Sequence, residues 1–324
     1  MKAFRSPAAA LGLILACCAP LAGAAQAESA PPREAIFDYR LAPQRIADGV
    51  YVLVGPPEDF SPRNGGNIGN TGFIVGTTGV IVIDTGPSRR YGEQLRAAIA
   101  RITPLPVVLT LNTHHHPDHF LGNQAFPPDT LAALPETIAG IEAEGEAFNA
   151  NLYRLAGNWM SGTEVVVPRQ RLSTGRQRAG GRDIELLALG GHTAADLVLI
   201  DHATGTVFAS DLLFHGRAPT TPHADIPRWL ESLDTLIRLP AQRWVSGHGE
   251  PATDSRPLAA TRAYLVWLRD TIRASAASGA DMAEALARPL PAEIRTWTLA
   301  ESEYRRSVAH LFPAAERAVL EASP

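Results

Sequence analysis

Two short, almost wholly apolar runs, residues 80–84 (VIVID) and 107–112 (VVLTLN), flank a segment, 91–102 (YGEQLRAAIARI), that sets Leu95, Ile99 and Ile102 at helical spacing. Runs of this kind read as strands and the three-to-four spacing as a helix, giving a strand, helix, strand unit. Such a unit implies an α/β arrangement in which helices cover a sheet. Residues 50–54 and 72–76 (GFIVG) precede it as hairpin strands. The pattern then recurs: 165–167, 184–188, 197–201 and 206–209 read as strands, 227–239 as a helix and 243–246 as another strand. Two β-rich halves, each adding helices, predict a two-sheet sandwich with outer helices. Between the halves, 127–164 is an insertion able to cover a site, with a helix expected around 136–156. Past Pro257 the chain turns helical, at 258–277, 281–287 and 301–321.

Composition narrows the function classes. Of 324 residues, 45% are hydrophobic and 19% charged, which suits a folded chain with a sizeable core. A formal charge of −4 and the absence of any Lys/Arg-rich run argue against a nucleic-acid partner. The two cysteines are adjacent, Cys17 and Cys18, inside a segment that resembles an export signal. Lys2 and Arg5 precede an apolar stretch, 8–19, and Ala25-Gln26-Ala27 has a small-x-small cleavage pattern, so cleavage is expected after Ala27. A rival reading takes Ile14-Leu15-Ala16-Cys17 as a lipoprotein box that leaves a lipid on Cys17. Either way the expected location is periplasmic or secreted. No run reaches the roughly 18–20 apolar residues of a membrane span. Cleavage would leave a chain without thiols and without lysine, excluding thiolate ligands and Schiff-base chemistry.

The strand at 107–112 runs directly into Thr113-His114-His115-His116-Pro117-Asp118-His119. Imidazole and carboxylate are the ligand types of Zn2+ and related ions, and a tight loop at a strand end can point several of them into one cavity. Read as His-x-His-x-Asp-His, the loop can give two ligands to one metal and two to another. His192 (GGHT), Asp211 (SDL) and His248 (SGHG) each fall at or just past a predicted strand end, in Gly- or Ser-containing turns.

These residues, in this order, resemble the motifs of the metallo-β-lactamase superfamily from about Ile46 to Pro251. The resemblance implies an α/β fold, the αβ/βα four-layer metallo-β-lactamase sandwich, with a C-terminal helical extension. The corresponding domains are a signal peptide 1–27, a lead-in 28–45, the metallo-β-lactamase-like domain 46–255 and the extension 256–324. It also implies that His114, His116 and His192 hold one divalent ion, that Asp118, His119 and His248 hold a second, and that Asp211 bridges them. Asp84 would orient a ligand histidine, and His115 falls at a variable position. Zn2+ is the expected ion at both places. Two such ions can share a water, lower its pKa and leave a bridging hydroxide as nucleophile, with Asp118 as the catalytic acceptor of its proton.

True β-lactamases of this fold generally carry Cys or Ser where this chain has Asp211, which argues against antibiotic hydrolysis. Residues 58–76, the Asp211-Leu212-Leu213-Phe214-x-Gly216-Arg217 stretch and the helical C-terminus are similar to the exported quinoprotein relay system zinc metallohydrolases. That resemblance implies a link to a periplasmic quinoprotein dehydrogenase and leaves the substrate open. The expected activity is hydrolysis of an ester, thioester or similar bond in a small molecule. The alternatives are a β-lactamase-like amidase and a non-catalytic metal-binding accessory protein of a redox system. His215 and Arg217 are candidate substrate contacts, with His223 and the loop 57–67 at the rim. Phe148, Tyr153 and Trp159 are candidate lid residues.

Overall fold

The computed structural model describes residues 37–322. The expected export signal, 1–27, lies outside these residues. The first sheet runs in spatial order β1 (Gln44–Ala47), β2 (Val50–Leu53), β3 (Thr71–Val75), β4 (Val80–Ile83), β5 (Val107–Asn112), β6 (Leu131–Ala133) and β7 (Gln170–Arg171). Its first four strands form an antiparallel meander and the rest are parallel. Helix α1 (Arg89–Ile102) crosses from β4 to β5, the single turn α2 (Pro117–Phe120) follows β5, and α3 (Pro135–Ala156) follows β6. The second sheet comprises β8 (Gly175–Ala179), β9 (Arg182–Leu189), β10 (Asp196–Asp201), β11 (Thr206–Phe214) and β12 (Arg243–His248), with β12 at one edge and β8 at the other. Only β11 and β12 are parallel, and α4 (Ile226–Leu236) lies between them in the chain. Helices α5 (Arg256–Ala277), α6 (Met282–Leu286), α7 (Ala292–Arg295) and α8 (Ala300–Ala322) complete the described chain.

The two-residue repeat of a strand explains how the layers separate. In β4, Ile81 and Ile83 face the second sheet, where they meet Leu197, Leu199 and Phe208, while Val80 and Val82 pack outward on Tyr91, Leu95 and Ile99 of α1. In β10 and β11, Val198, Ile200, Val207 and Ala209 face outward onto α4, α5 and α8. All four residues of β4 and all six of β10 are therefore buried, as strands covered on both faces must be. The C-terminal helices supply the fourth layer through Leu265, Leu268, Tyr304, Val308 and Phe312. Ser88 and Asp225 cap α1 and α4 by accepting the amides of Tyr91 and Arg228, which fixes both helix starts from local sequence.

Two expectations need correction. Residues 165–167 are not a strand: Val165 and Val167 pack on α3 and its neighbours, Val166 faces the α1 side, and pairing with β6 is taken up by β7. β-Branched residues here fill a core instead of extending a ladder. The strand expected at 206–209 continues to Phe214, with register breaks on either side of Ser210. Ser210 has a left-handed backbone, φ 45°, so Asp211 emerges from a bulged strand and not from a turn beyond it.

Candidate metal centre

The centre forms where the ends of the two sheets meet. The first sheet contributes the loop after β5, whose α2 turn is opened by Pro117 and turns Asp118 and His119 inward. The second contributes His192 from the β9–β10 connection, Asp211 from β11 and His248 from the last position of β12. Two donor groups result, His114, His116, His192 and Asp211 in one and Asp118, His119 and His248 in the other. All seven side chains are buried. Asp211 lies between the groups: its carboxylate is 3.2 Å from His119 Nε2, 3.2 Å from His248 Nε2, 3.3 Å from His192 Nε2 and 3.9 Å from His114 Nε2. Asp118 Oδ2 is 3.4 Å from His119 Nε2 and 3.5 Å from His248 Nε2.

The hydrogen bonds on the far side of each ring decide which nitrogen faces inward. His119 donates from Nδ1 to Asp84 Oδ2 at 2.8 Å, and His248 donates from Nδ1 to Ile68 O at 2.9 Å. The Thr113 hydroxyl donates to Asp84, so it accepts from His114 Nδ1 at 3.0 Å. Each of these three rings thus turns Nε2 to the centre, the arrangement that outer hydrogen bonds impose on metal-ligating histidines. His116 presents Nδ1, 2.9 Å from His192 Nε2, while its Nε2 is 2.8 Å from His223 Nδ1.

These residues fit a divalent cation. His114 Nε2, His119 Nε2 and Asp211 Oδ1 are buried with no hydrogen-bond partner among the described residues, although such atoms are ordinarily paired. Burial holds His114 and His116 well below the usual imidazole range and His192 at about 4, which keeps their lone pairs free. Burial opposes charge on Asp211 as well, but His248, His119, His114 and His192 outweigh it and hold the carboxyl well below its usual range. Burial opposes charge on His119, yet Asp118, Asp211 and Asp84 push its pKa well above the usual range. A cavity that draws a proton to His119 by three carboxylates draws a metal ion by the same field. The donor types, imidazole and carboxylate without sulfur, suit Zn2+ and its neighbours.

Backbone geometry adds to the placement. Asp84 adopts φ 60°, a left-handed conformation uncommon outside glycine, as does Ser210 beside Asp211. Gly247 is the residue against which Asp211 packs, where any Cβ would overlap Oδ1. Trp229 of α4 sets its ring edge-on to His192, with centroids 5.0 Å apart, and donates from its indole to Leu212 O at 3.0 Å.

A cavity of about 330 Å³ opens onto Asp118, Asp211, His116 and His248. Of the expected rim residues, Arg217, His223, Phe148, Asp59 and Phe60 line it. His215 does not: its Nδ1 bonds to Glu250 O at 2.8 Å. Of the other two candidate lid residues, Tyr153 is half exposed, and Trp159 packs on Phe37 and Tyr39 and donates to Pro62 O, so it anchors the loop 57–67. Arg217 is buried, paired with Glu303 at 3.4 Å, and its Nε and Nη1 have no hydrogen-bond partner among the described residues. Arg306 of α8 also lines the cavity and pairs with Asp59 and Glu303. Arg306 carries no local motif, and only the tertiary fold brings it here.

A sandwich that delivers histidines and aspartates from both sheets to one edge defines a metal-site protein of the αβ/βα class. The chain belongs to the metallo-β-lactamase superfamily, whose family model matches residues 64–248. It is 27% identical over 171 residues to a hydroxyacylglutathione hydrolase of Cyanothece sp., an alignment covering 49% of this chain and 59% of that protein's length. It is 26% identical over 211 residues to metallo-beta-lactamase domain-containing protein 1 of Xenopus laevis, covering 62% of this chain and 80% of that one. Among solved structures, a metallo-beta-lactamase from Pontibacter korlensis superposes with a TM-score of 0.54 at 21% identity, over 70% of this chain and 99% of the other. That likeness concerns the fold. Family, fold and hydrolase relative together support a metal-dependent hydrolase.

Proposed function

We propose that the chain is a binuclear zinc-dependent hydrolase that cleaves an ester, thioester or similar bond in a small molecule. The observation that carries this reading is the position of Asp211, whose carboxylate lies within 3.3 Å of histidines from both donor groups. His114, His116 and His192 would hold one ion, Asp118, His119 and His248 the other, with Asp211 shared. Ions held there would polarise the scissile bond and lower the pKa of a water.

The chain's own residues do the rest. Burial pushes the Asp118 carboxyl up, but His119 and His248 outweigh it and the net shift is downward, leaving a carboxylate able to orient a water and accept its proton. Asp84 holds His119 in one tautomer. Arg217, paired with Glu303, lines the cavity and is the cation there suited to a carboxylate or phosphate on the substrate. The thioester branch is favoured by the hydroxyacylglutathione hydrolase relative and by an aspartate at 211.

Export by residues 1–27 and service of a periplasmic quinoprotein dehydrogenase system complete the proposal. Among the described residues no helix is long and apolar enough to cross a membrane. Purified protein assayed for metal content, then screened against thioester, lactone, phosphodiester, alkylsulfate and β-lactam substrates, tests the chemistry. Two zinc ions per chain with thioester or ester turnover is the expected result. Metal-loaded protein inert on the whole panel overturns it in favour of an accessory role, and efficient lactam turnover overturns the argument from Asp211. Fractionation of cells expressing the full chain tests export.

A further inference from the structure

Beside the buried centre stands a second set of imidazoles, two of which the hydrolytic reading does not use. His115, His116 and His223 bring one ring nitrogen each to within 4.8 Å of one another. Their ring centroids form a triangle with all three sides 5.1 Å. The buried trio of His114, His116 and His192 has sides of 4.8, 5.0 and 4.7 Å. The closest nitrogens match as well, 2.8 Å from His116 Nε2 to His223 Nδ1 against 2.9 Å from His116 Nδ1 to His192 Nε2. His116 is common to both trios and turns one nitrogen to each.

A carboxylate flanks the outer set without joining it. Glu144, on α3, lies 3.1 Å from His223 Nε2 and 3.7 Å from His115 Nε2. The set is also held in place. Phe148 lies 6.0–6.2 Å from all three rings, and Gly140 of α3 packs on His115 so closely that a Cβ there would press on the ring at 2.7 Å. His223 and Glu144 keep 31% and 41% of their side-chain surface exposed, so an ion has a path from solvent.

We propose that His115, His116 and His223 form a third divalent-cation site, outer and exchangeable, which shares His116 with the buried centre and has Glu144 beside it to orient His223. A set of imidazoles selects Zn2+ and similar borderline ions over Ca2+ and Mg2+. Entry of the ion displaces the proton that His116 Nε2 shares with His223 and releases it to solvent. Solvent exposure and the sharing of one ligand make this site weaker than the buried pair.

The test is zinc titration of the two-zinc protein by calorimetry, with metal content measured after dialysis into buffered free zinc. The expected result is one further zinc per chain, bound at least tenfold more weakly than the first two. His223→Ala should abolish that uptake while both tight ions remain, and Glu144→Ala should weaken it about tenfold or more. Both variants are at the rim, and their melting temperatures check that they are folded. Wild-type protein that takes up nothing beyond its tight ions overturns the proposal. So does His223→Ala protein that loses one of the tight ions, because His223 would then serve only to orient His116. Failure of the buried centre is read separately, as absence of tight zinc in wild type and no effect of Asp211→Ala.

Discussion

Asp84 and His119 are joined by a 2.8 Å hydrogen bond, and the same carboxylate accepts the amide and hydroxyl of Thr113, each at 2.8 Å. One buried side chain therefore sets both the start of the histidine loop and the orientation of a ring deep within it. Asp84→Asn keeps the size and tolerates the left-handed backbone, yet removes the charge behind His119. The expected outcome is a 10–100-fold loss of zinc affinity with the fold retained, measured by chelator competition. Unchanged affinity would remove Asp84 from the metal centre.

Gly247 permits Asp211 to sit where it does. In Gly247→Ala the added methyl meets Asp211 Oδ1, and its backbone neighbours prevent an easy retreat. Zinc content should drop and hydrolysis fall by about a hundredfold or more, in the range expected when a catalytic group is misplaced by about 1 Å. Metal analysis beside steady-state kinetics on one preparation checks this.

Removing metal should cost stability, because a ligand bound only by the folded chain adds RT ln(1 + [L]/Kd). At free zinc a hundredfold above Kd that is about 2.7 kcal/mol per site. The melting temperature should fall in chelator and recover on adding zinc. A chelator-independent melting curve would contradict a structural contribution from the buried donors.

Trp229 couples the core to the centre. Its fully buried ring packs on His192, and Trp229→Ala should lose about 3–5 kcal/mol of stability in denaturant unfolding. Trp229→Phe, which keeps the ring contact and forfeits the bond to Leu212 O, should lose less. Zinc affinity should follow the same order, since His192 Nδ1 has no hydrogen-bond partner among the described residues and relies on packing for its orientation.

Much of this arrangement is legible in the chain. Runs such as VIVI and VVLTLN announce strands, the first buried throughout, and the helices announce themselves by spacing. His114 to His119 declare metal chemistry locally because five potential donors lie in six residues. What local pattern misleads on is 165–167, where the same β-branched residues serve helix packing. It is silent on Arg306 at the cavity and on Glu144 beside His223, whose places follow from how α8 and α3 cross the sandwich. It is also silent on the bulge at Ser210, since serine carries no signal for positive φ. His215, adjacent to useful residues in sequence, is turned away by its bond to Glu250.

The contribution of donors from both sheets has a topological consequence. A cation gripped by the loop after β5 together with His192, Asp211 and His248 ties distant stretches of one chain through a single point. That is what a disulfide does in other proteins, by limiting how far the unfolded chain can spread. Here the described residues contain no cysteine, and the tie can be opened or closed by the supply of an ion. The reactive centre would thus double as the clasp between the two halves of the sandwich.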